Sequence, residues 1–368
     1  MLQNLQILTK KKLHGDKMNL TFNQLMILYC LHKLQGERTI YSIYHLIQGK
    51  KSSQTIQDAH LFHLTPFFQT DTNMSRLSLE KTVTILSKEQ LIVEKTDLHY
   101  AVTSKGEQEL SKMLAETPIP IHLNGWKYQR TAALFWERLS LAVQVISHLK
   151  KRESKYIPVQ RKAEPLLWMR QFLKQNRLSR DALGLQLYQE LVSLLESDSS
   201  IEPDYIVIRL SGYQSFGLTE SQAAKHFRMD LSYYHYLFLS MLHYITGYIE
   251  KNPSQFPILH AFLDKQQKHN LTNSTEKTYA LLKQGNSVTD IMTIRGLKKS
   301  TIEDHLVELA LNIEEFSINP YVSIEKQELI KKAAKERQTK QLKQIRSLVS
   351  NADYFEIRLV LAKYGEEL

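Results

Sequence analysis

Residue types that can contact phosphates and base edges are concentrated in one stretch near the end of the sequence. A helix predicted over 274–283 is closed by Gly285, Ser287 opens a second short helix, and Gly296 supplies the next turn. Ser300 to Glu303 has the pattern of a capping box, which predicts a third helix running to about residue 310. Three helices joined in this way predict a helix-turn-helix, whose last helix meets DNA at its N-terminal end. The side chains expected to point outward there are Lys298, Lys299, Ser300, Thr301 and His305.

A second set of basic residues lies in the first 117 residues, which predict a winged helix. A capping box at Thr21 starts the first helix, and shorter helices precede a fourth helix over 75–90. Two runs rich in β-branched and aromatic residues, 91–95 and 98–103, predict a short β-hairpin before a helix that begins near 104. The DNA-contact candidates on the fourth helix and hairpin are Arg76, Lys81, Lys95 and His99.

A third candidate combines lysines with a helix start. Gly49 ends one predicted helix, and Lys50 and Lys51 precede Ser52 and Ser53 at the beginning of the next. The free N–H groups and positive dipole end of a helix N-terminus can bind a phosphate. An ordinary helix cap with solvated lysines explains the same pattern.

Motifs of catalysis and of cofactor binding are absent from the sequence. It contains no phosphate-binding P-loop, no dinucleotide-binding glycine pattern after a strand and no nucleophile elbow. His60 and His63 have no carboxylate or thiol placed to complete a zinc site. Cys30 is the only cysteine and lies in an apolar run, so we expect a buried thiol and no disulfide. We therefore predict a protein without catalytic residues, cofactor or metal.

Composition favours a helical protein with a polyanionic partner. The 368 residues include only 12 glycines and 9 prolines, and 42% are hydrophobic, which predicts a mainly α fold with real cores. Lys and Arg exceed Asp and Glu by 48 to 38, a net charge of +10. A positive net charge of this size favours nucleic acid or an anionic surface as a binding partner. With no apolar run of 18 residues and no apolar segment before the first lysines, we expect a cytoplasmic, nucleoid-associated protein without a membrane span.

Breaks in the sequence pattern of predicted helices divide the chain into three predicted domains. These are a winged-helix domain over 1–117, a helical middle domain over 118–265 and a C-terminal helix-turn-helix domain over 266–368. In the middle domain, 205–210 fits either a strand or a buried helix. The tyrosine-rich helix over 233–249 fits a buried core helix better than a recognition helix. The stretch 325–346 carries eight basic and three acidic residues, which suits a solvated helix as well as one that contacts phosphates.

Particular segments of the sequence resemble known protein families. Residues 275–310, with Gly285, Arg295, Ser300 to Ile302 and His305, resemble the helix-turn-helix module at the C-terminus of RecQ-type helicases, and 354–362 matches the end of that module. Most of the chain resembles the YpbB family of Gram-positive bacteria. The segments on which this second resemblance rests are residues 43–46, 49–59, 124–126, 135–136 and 156–160.

The family resemblance implies a role beside a helicase. Members are typically encoded next to a RecQ-like helicase. This sequence lacks the helicase motor, so the resemblance implies the DNA-binding role of the accessory module and no unwinding activity. The resulting hypothesis is a non-catalytic DNA-binding protein that partners a RecQ-like helicase in DNA repair or recombination. A sequence-specific transcription regulator and a protein–protein adaptor built on winged helices are the alternatives.

Overall fold

Helices form nearly all of the regular structure, as the low glycine and proline content predicts. The computed structural model describes residues 20–264 and 270–365. Within those ranges, eighteen α-helices accompany one two-stranded antiparallel sheet. The mainly α fold is therefore confirmed.

The N-terminal unit has the order of helices, hairpin and helix that was predicted for a winged helix. Thr21 starts the first helix with a complete capping box, since its hydroxyl accepts from the Gln24 N–H and the Gln24 side chain accepts from the Thr21 N–H. The backbone N–H of Ile40 donates to the Leu98 carbonyl at 3.0 Å, which holds the chain before the second helix against the hairpin. The elements are α1 (Phe22–Leu34), α2 (Tyr41–Ile47), α3 (Ser53–Leu61), α4 (Arg76–Lys88), β1 (Ile92–Thr96), β2 (His99–Val102) and α5 (Ser104–Glu116).

Gly49 sets the direction of the chain between α2 and α3. Its φ of +74° lies in the left-handed region, where residues with a Cβ are strained. A Cβ at this position would also lie 2.5 Å from the Cβ of Gln69. The predicted helix end at Gly49 is thus confirmed, and Lys50 leaves the turn in a fixed direction.

The middle unit is entirely helical. Residues 205–210, which fit either a strand or a helix, contain one helical turn followed by an irregular turn. The tyrosine-rich helix is a core helix, because Tyr234 and Tyr236 are almost completely buried. The elements are α6 (Gly125–Lys150), α7 (Ala163–Gln175), α8 (Arg180–Leu195), α9 (Asp204–Val207), α10 (Glu220–His226), α11 (Leu231–Lys251) and α12 (Pro257–His260).

The C-terminal unit begins with the three predicted helices of the helix-turn-helix and adds three more. The basic stretch after residue 324 is not fully solvated, because Ile330, Ala333 and Ala334 are buried and Lys326 pairs with Glu356 at 2.7 Å. The elements are α13 (Asn273–Lys283), α14 (Val288–Arg295), α15 (Lys299–Asn312), α16 (Ile324–Arg337), α17 (Leu342–Leu348) and α18 (Tyr354–Tyr364).

Two hydrophobic cores organise these units. One is built mainly from apolar side chains of the N-terminal and C-terminal units and includes Trp126 and Tyr236 of the middle unit, and the other consists of side chains of the middle unit. Cys30 lies in the first core, fully buried as expected, and burial raises the pKa of its thiol to about 12. Helix α3 packs against both α15 and α18. The N-terminal and C-terminal units therefore form one packed body, while the limits 117 and 265 remain predicted domain boundaries.

Candidate nucleic-acid interface

The turn into α15 is made two residues earlier than the sequence pattern suggests. Gly296 ends α14 with a φ of +61°, and Lys298 is the N-cap residue with extended backbone. The helix begins at Lys299, so the predicted capping box at Ser300 is wrong. The reason is that Gly296 turns the chain at once, which leaves Ser300 inside the first helical turn.

The first turn of α15 has the chemistry of a phosphate site. Lys298, Lys299 and Ser300 are exposed, and Thr301 is half-buried. No side chain caps this helix. Within the described chain, the backbone N–H groups of Lys299 and Ser300 have no acceptor. Free N–H groups and the positive end of the helix dipole favour an anion here. Lys298 adds a charge without an ion pair among the described residues, and Lys299 is exposed with its Nζ 3.4 Å from the Glu303 carboxylate.

The remainder of α15 is buried, which corrects one predicted contact. His305 is only 6% exposed, and its Nδ1 lies 2.8 Å from the Thr278 hydroxyl. Burial, with a smaller effect of the Arg295 charge, lowers the pKa of the His305 imidazole to about 4. The expectation that His305 points outward is therefore wrong, because its side chain faces α13, where Thr278 lies, and is buried there.

Polar contacts fix the three helices of this module relative to one another. The Arg295 guanidinium donates to the Ser274 carbonyl at 2.7 Å, which joins the end of α14 to the start of α13. The buried Glu308 carboxylate on α15 accepts from the Thr272 N–H and from the Thr275 hydroxyl. These contacts tie both α14 and α15 to the start of α13.

A second basic surface, which we call the Arg76 cluster, consists of Tyr41, Tyr44, His45, Lys50 and Arg76. The Arg76 guanidinium carbon lies 5.1 Å from the Tyr41 ring centre and 5.6 Å from that of Tyr44. Burial lowers the pKa of His45, and the nearby Lys50 and Arg76 lower it further. The structure thus brings Lys50 and Arg76, 26 positions apart in sequence, to one site.

Two acidic neighbours limit the charge of the Arg76 cluster. The Tyr41 hydroxyl donates to the Glu80 carboxylate at 2.8 Å, and both Glu80 and Asp97 raise the pKa of Tyr41. Neither carboxylate forms an ion pair with Arg76 or Lys50 in the described chain. Arg76 and Lys50 are both exposed, so their charges stay available to an anion.

The other candidates separate into different places. Lys81 is exposed on α4, and Lys95 is exposed on β1. His99 is half-buried, with its Nδ1 2.7 Å from the Asp97 carbonyl. Lys51 turns away from its neighbour Lys50, towards Glu308 and Arg130. At the start of α3, the Ser52 hydroxyl accepts from the Thr55 N–H, and the Ser53 hydroxyl accepts from Arg358.

Tyr41, Tyr44 and His45 were not among the residues selected from the sequence. The two tyrosines are three positions apart and so share one face of α2. This spacing was visible in the sequence, but only the fold places Arg76 over that face.

Metal-binding clusters and membrane-spanning helices are not found among the described residues. No group of three histidine, cysteine or carboxylate side chains there is placed to hold a metal ion. Nor does any helix in residues 20–264 and 270–365 combine the length and apolar character needed to cross a bilayer.

Two comparisons with known proteins fit this geometry. A family model described as a helix-turn-helix domain matches residues 274–361, from α13 into α18. Protein YpbB of Bacillus subtilis (strain 168) is 36% identical over 358 residues, which cover 95% of this chain and 99% of the relative. The chain belongs to the YpbB family. No solved structure matches it.

YpbB family membership and the domain match support different statements. The helix-turn-helix domain supports DNA binding. The name of the Bacillus subtilis YpbB protein states no activity and no partner. Within the matched domain, the first turn of α15 is the exposed part of the third helix.

Proposed function

We propose that this YpbB family member is a non-catalytic DNA-binding protein that acts with a RecQ-like helicase in DNA repair or recombination, in the cytoplasm at the nucleoid. One observation carries the DNA-binding part. Two exposed basic surfaces, the first turn of α15 and the Arg76 cluster, lie on helical units that share a single hydrophobic core.

A common core gives the two surfaces a fixed separation. Helix α3 follows Lys50 directly and packs along α15, so the two units cannot move independently without breaking that packing. A rigid pair of phosphate-binding surfaces selects DNA whose shape places phosphates at both of them. Phosphate contacts of this kind set position and affinity and carry no direct sequence information. This favours recognition of a DNA structure over recognition of a fixed base sequence.

The helicase part of the proposal rests on the family resemblance and on the middle unit. The exposed Leu185 and Tyr188 lie three positions apart on α8, so they share a face that could dock a protein. We assign residues 118–265 as the region that binds the helicase. Linking the two proteins adds the DNA contacts of this chain to those of the motor, which raises the affinity of the pair for DNA without new chemistry.

Purified protein and a RecQ-like helicase from the same organism test the partnership. Size-exclusion chromatography is expected to show a complex at micromolar concentration, and Leu185→Ser with Tyr188→Ser is expected to weaken it. Unwinding of forked DNA is expected to improve at limiting helicase, with an unchanged ATPase rate per bound motor. Absence of a complex between two folded proteins, together with tight binding to one duplex sequence, would support the transcription regulator instead.

A further inference from the structure

The loop between α6 and α7, residues 151–162, carries an unusual excess of positive charge. Glu153 is the only acidic residue from 150 to 162, and its carboxylate accepts the Lys155 N–H at 2.7 Å. Lys162 pairs with Glu137. The exposed cations of this segment that form no ion pair with the described residues are Lys150, Lys151, Arg152, Lys155 and Arg161.

A neighbouring loop, residues 211–217, presents an aromatic ring to solvent. Phe216 is 90% exposed, the highest value for any large apolar side chain in the described chain. The loop is closed by paired backbone hydrogen bonds between Gly212 and Ser215, and the Gly217 N–H donates to the Ser211 hydroxyl at 3.0 Å. A Cβ on Gly217 would lie 2.2 Å from a backbone oxygen. The backbone is therefore held tightly while the ring has no partner of its own.

Both loops are fastened to the same turns of α6. The Gln144 side chain donates to the Ile157 carbonyl at 3.1 Å and accepts from the Val159 N–H at 2.8 Å. One helical turn later, the Ser147 hydroxyl accepts from the Tyr213 N–H at 2.9 Å.

The two loops meet at His148. Its ring stacks on Tyr156 with 4.1 Å between ring centres, and it meets Tyr213 edge-on at 5.6 Å. The cations of the first loop and the exposed ring of the second therefore belong to one preorganised surface, which we call the loop platform.

We propose that the loop platform binds single-stranded nucleic acid. Proteins bind single strands by combining unpaired cations, which follow the backbone, with aromatic rings on which bases stack. The loop platform has both, with four unpaired cations on the first loop, a fifth at the end of α6 beside it, and an exposed Phe216 on the second loop. A flat ring accepts the face of any base, so no sequence preference is expected. This site is separate from the helix-turn-helix and the Arg76 cluster, and it stands whether or not those surfaces bind duplex DNA.

An anionic membrane and an acidic peptide are different partners for a basic surface. The aromatic character favours bases, because the half-buried rings of Tyr156 and Tyr213 lie beside the cations, packed on the buried His148. Ile157, 77% exposed on the same loop as the cations, is an aliphatic side chain that a membrane would also accept. The test therefore includes vesicles and poly-glutamate as competing ligands.

The first experiment places a fluorescent probe at the ring. In full-length Phe216→Trp, titration with an oligo(dT) of about 16 nucleotides is expected to quench the new tryptophan, because a base stacks on it. The wild-type protein, with Trp126, Trp136 and Trp168, provides the background signal. Unchanged fluorescence at a saturating concentration of oligonucleotide would overturn the proposal, even if the protein binds duplex DNA elsewhere.

Affinity measurements separate stacking from charge. Phe216→Ala and Phe216→Leu are each expected to weaken oligo(dT) binding about tenfold, the loss typical of one stacked base, while Phe216→Tyr keeps most of it. Ile121→Ala, which changes another exposed apolar side chain (76% exposed), is the matched control and is expected to change nothing. Lys151→Ser with Arg152→Ser is expected to reduce the salt dependence by about 1.4 in log–log slope.

Two outcomes would contradict the loop platform as a single-strand site. One is equal oligo(dT) affinity for wild-type protein and Phe216→Ala. The other is binding of anionic phosphatidylserine vesicles or of poly-glutamate, lost in Phe216→Ala, by a protein that does not bind oligo(dT). Because Phe216 packs against almost nothing, its variants are expected to keep the thermal stability of the wild type, which circular dichroism checks.

Discussion

The guanidinium Nη2 of Arg358 lies 2.7 Å from the carboxylate Oδ1 of Asp304, which joins α18 to the second turn of α15. The same guanidinium donates to the Gln57 side chain at 3.1 Å and to the Ser53 hydroxyl. The Gln57 amide in turn donates to the Arg358 carbonyl at 3.1 Å. One side chain therefore couples the helix that carries Lys298 and Lys299 to α3 and α18.

Arg358→Ala is expected to lower the free energy of unfolding by about 1.5–3 kcal/mol, because it leaves half-buried acceptors without a charged donor. Urea denaturation measures the change. Arg346→Ala is the control, since that guanidinium lies 4.5 Å from the Tyr354 ring centre and forms no ion pair with the described residues. Equal urea midpoints for wild type and Arg358→Ala would show that the contacts of Arg358 do not stabilise the fold.

Lys298→Ala with Lys299→Ala is expected to weaken duplex DNA binding on all sequences and to reduce the salt slope by about two, because each lysine neutralises one phosphate. Both side chains are exposed, so stability should stay the same. Lys112→Ala with Lys127→Ala removes the same charge from another part of the surface and should have a smaller effect. If both double variants weaken binding equally, α15 has no special role and only net charge matters.

Arg76→Ala is expected to reduce duplex affinity and the salt slope by about one, and Arg76→Lys to restore part of the loss. Arginine stacks on the tyrosine rings as a planar group, which lysine cannot do, so recovery should be incomplete. Lys88→Ala at the other end of α4 is the matched control. Fluorescence anisotropy with a labelled duplex measures all three. Wild-type affinity in Arg76→Ala would remove the Arg76 cluster from the interface.

Mild acid is expected to destabilise the fold through two buried histidines. The His243 Nδ1 accepts the Asn124 N–H at 2.9 Å, so that nitrogen must be unprotonated. Burial lowers the pKa of His243 and of His305 to about 4. The unfolded chain, with histidine pKa values near 6.5, binds more protons between pH 6.5 and 4. Stability from these groups is therefore complete above about pH 6.5 and falls as the pH drops, by up to about 1.4 kcal/mol per pH unit for each histidine.

Urea unfolding between pH 7 and pH 5 measures this dependence, and His243→Ala and His305→Ala should each reduce it while lowering stability at pH 7. His235 acts in the opposite direction, because its hydrogen bond and ion pair with Glu220 raise its pKa against the effect of burial. Its contribution is present below pH 6.5 and is lost as the pH rises through the raised pKa. If the free energy of unfolding depends on pH in both alanine variants as it does in the wild type, the assignment of this dependence to His243 and His305 is wrong.

Local patterns in the sequence predicted the elements well. The capping box predicted at Thr21 and the helix start predicted at Ser287 are both present in the structure, and the hairpin pairs Ile92 with Val102 as the two β-rich runs suggest. These features depend on residues within a few positions of each other, which the sequence displays directly.

The candidate site was less predictable because it depends on distant contacts. His305 has the spacing of an outward residue near the start of α15, but it faces α13, where its Nδ1 lies 2.8 Å from the Thr278 hydroxyl, and it is buried. Lys50 and Lys51 are adjacent in sequence, yet only Lys50 joins Arg76. Periodicity assigns a residue to a helix face and cannot tell which distant element covers that face.

The salt dependence of duplex DNA binding by the full-length protein tests the central claim most directly. If about five phosphates are neutralised by the first turn of α15, the Arg76 cluster and neighbouring lysines, log K should fall against log salt concentration with a slope of about −4 to −5. A flat response, or no binding at low salt by a folded protein, would contradict a DNA-binding function and would favour a protein–protein adaptor.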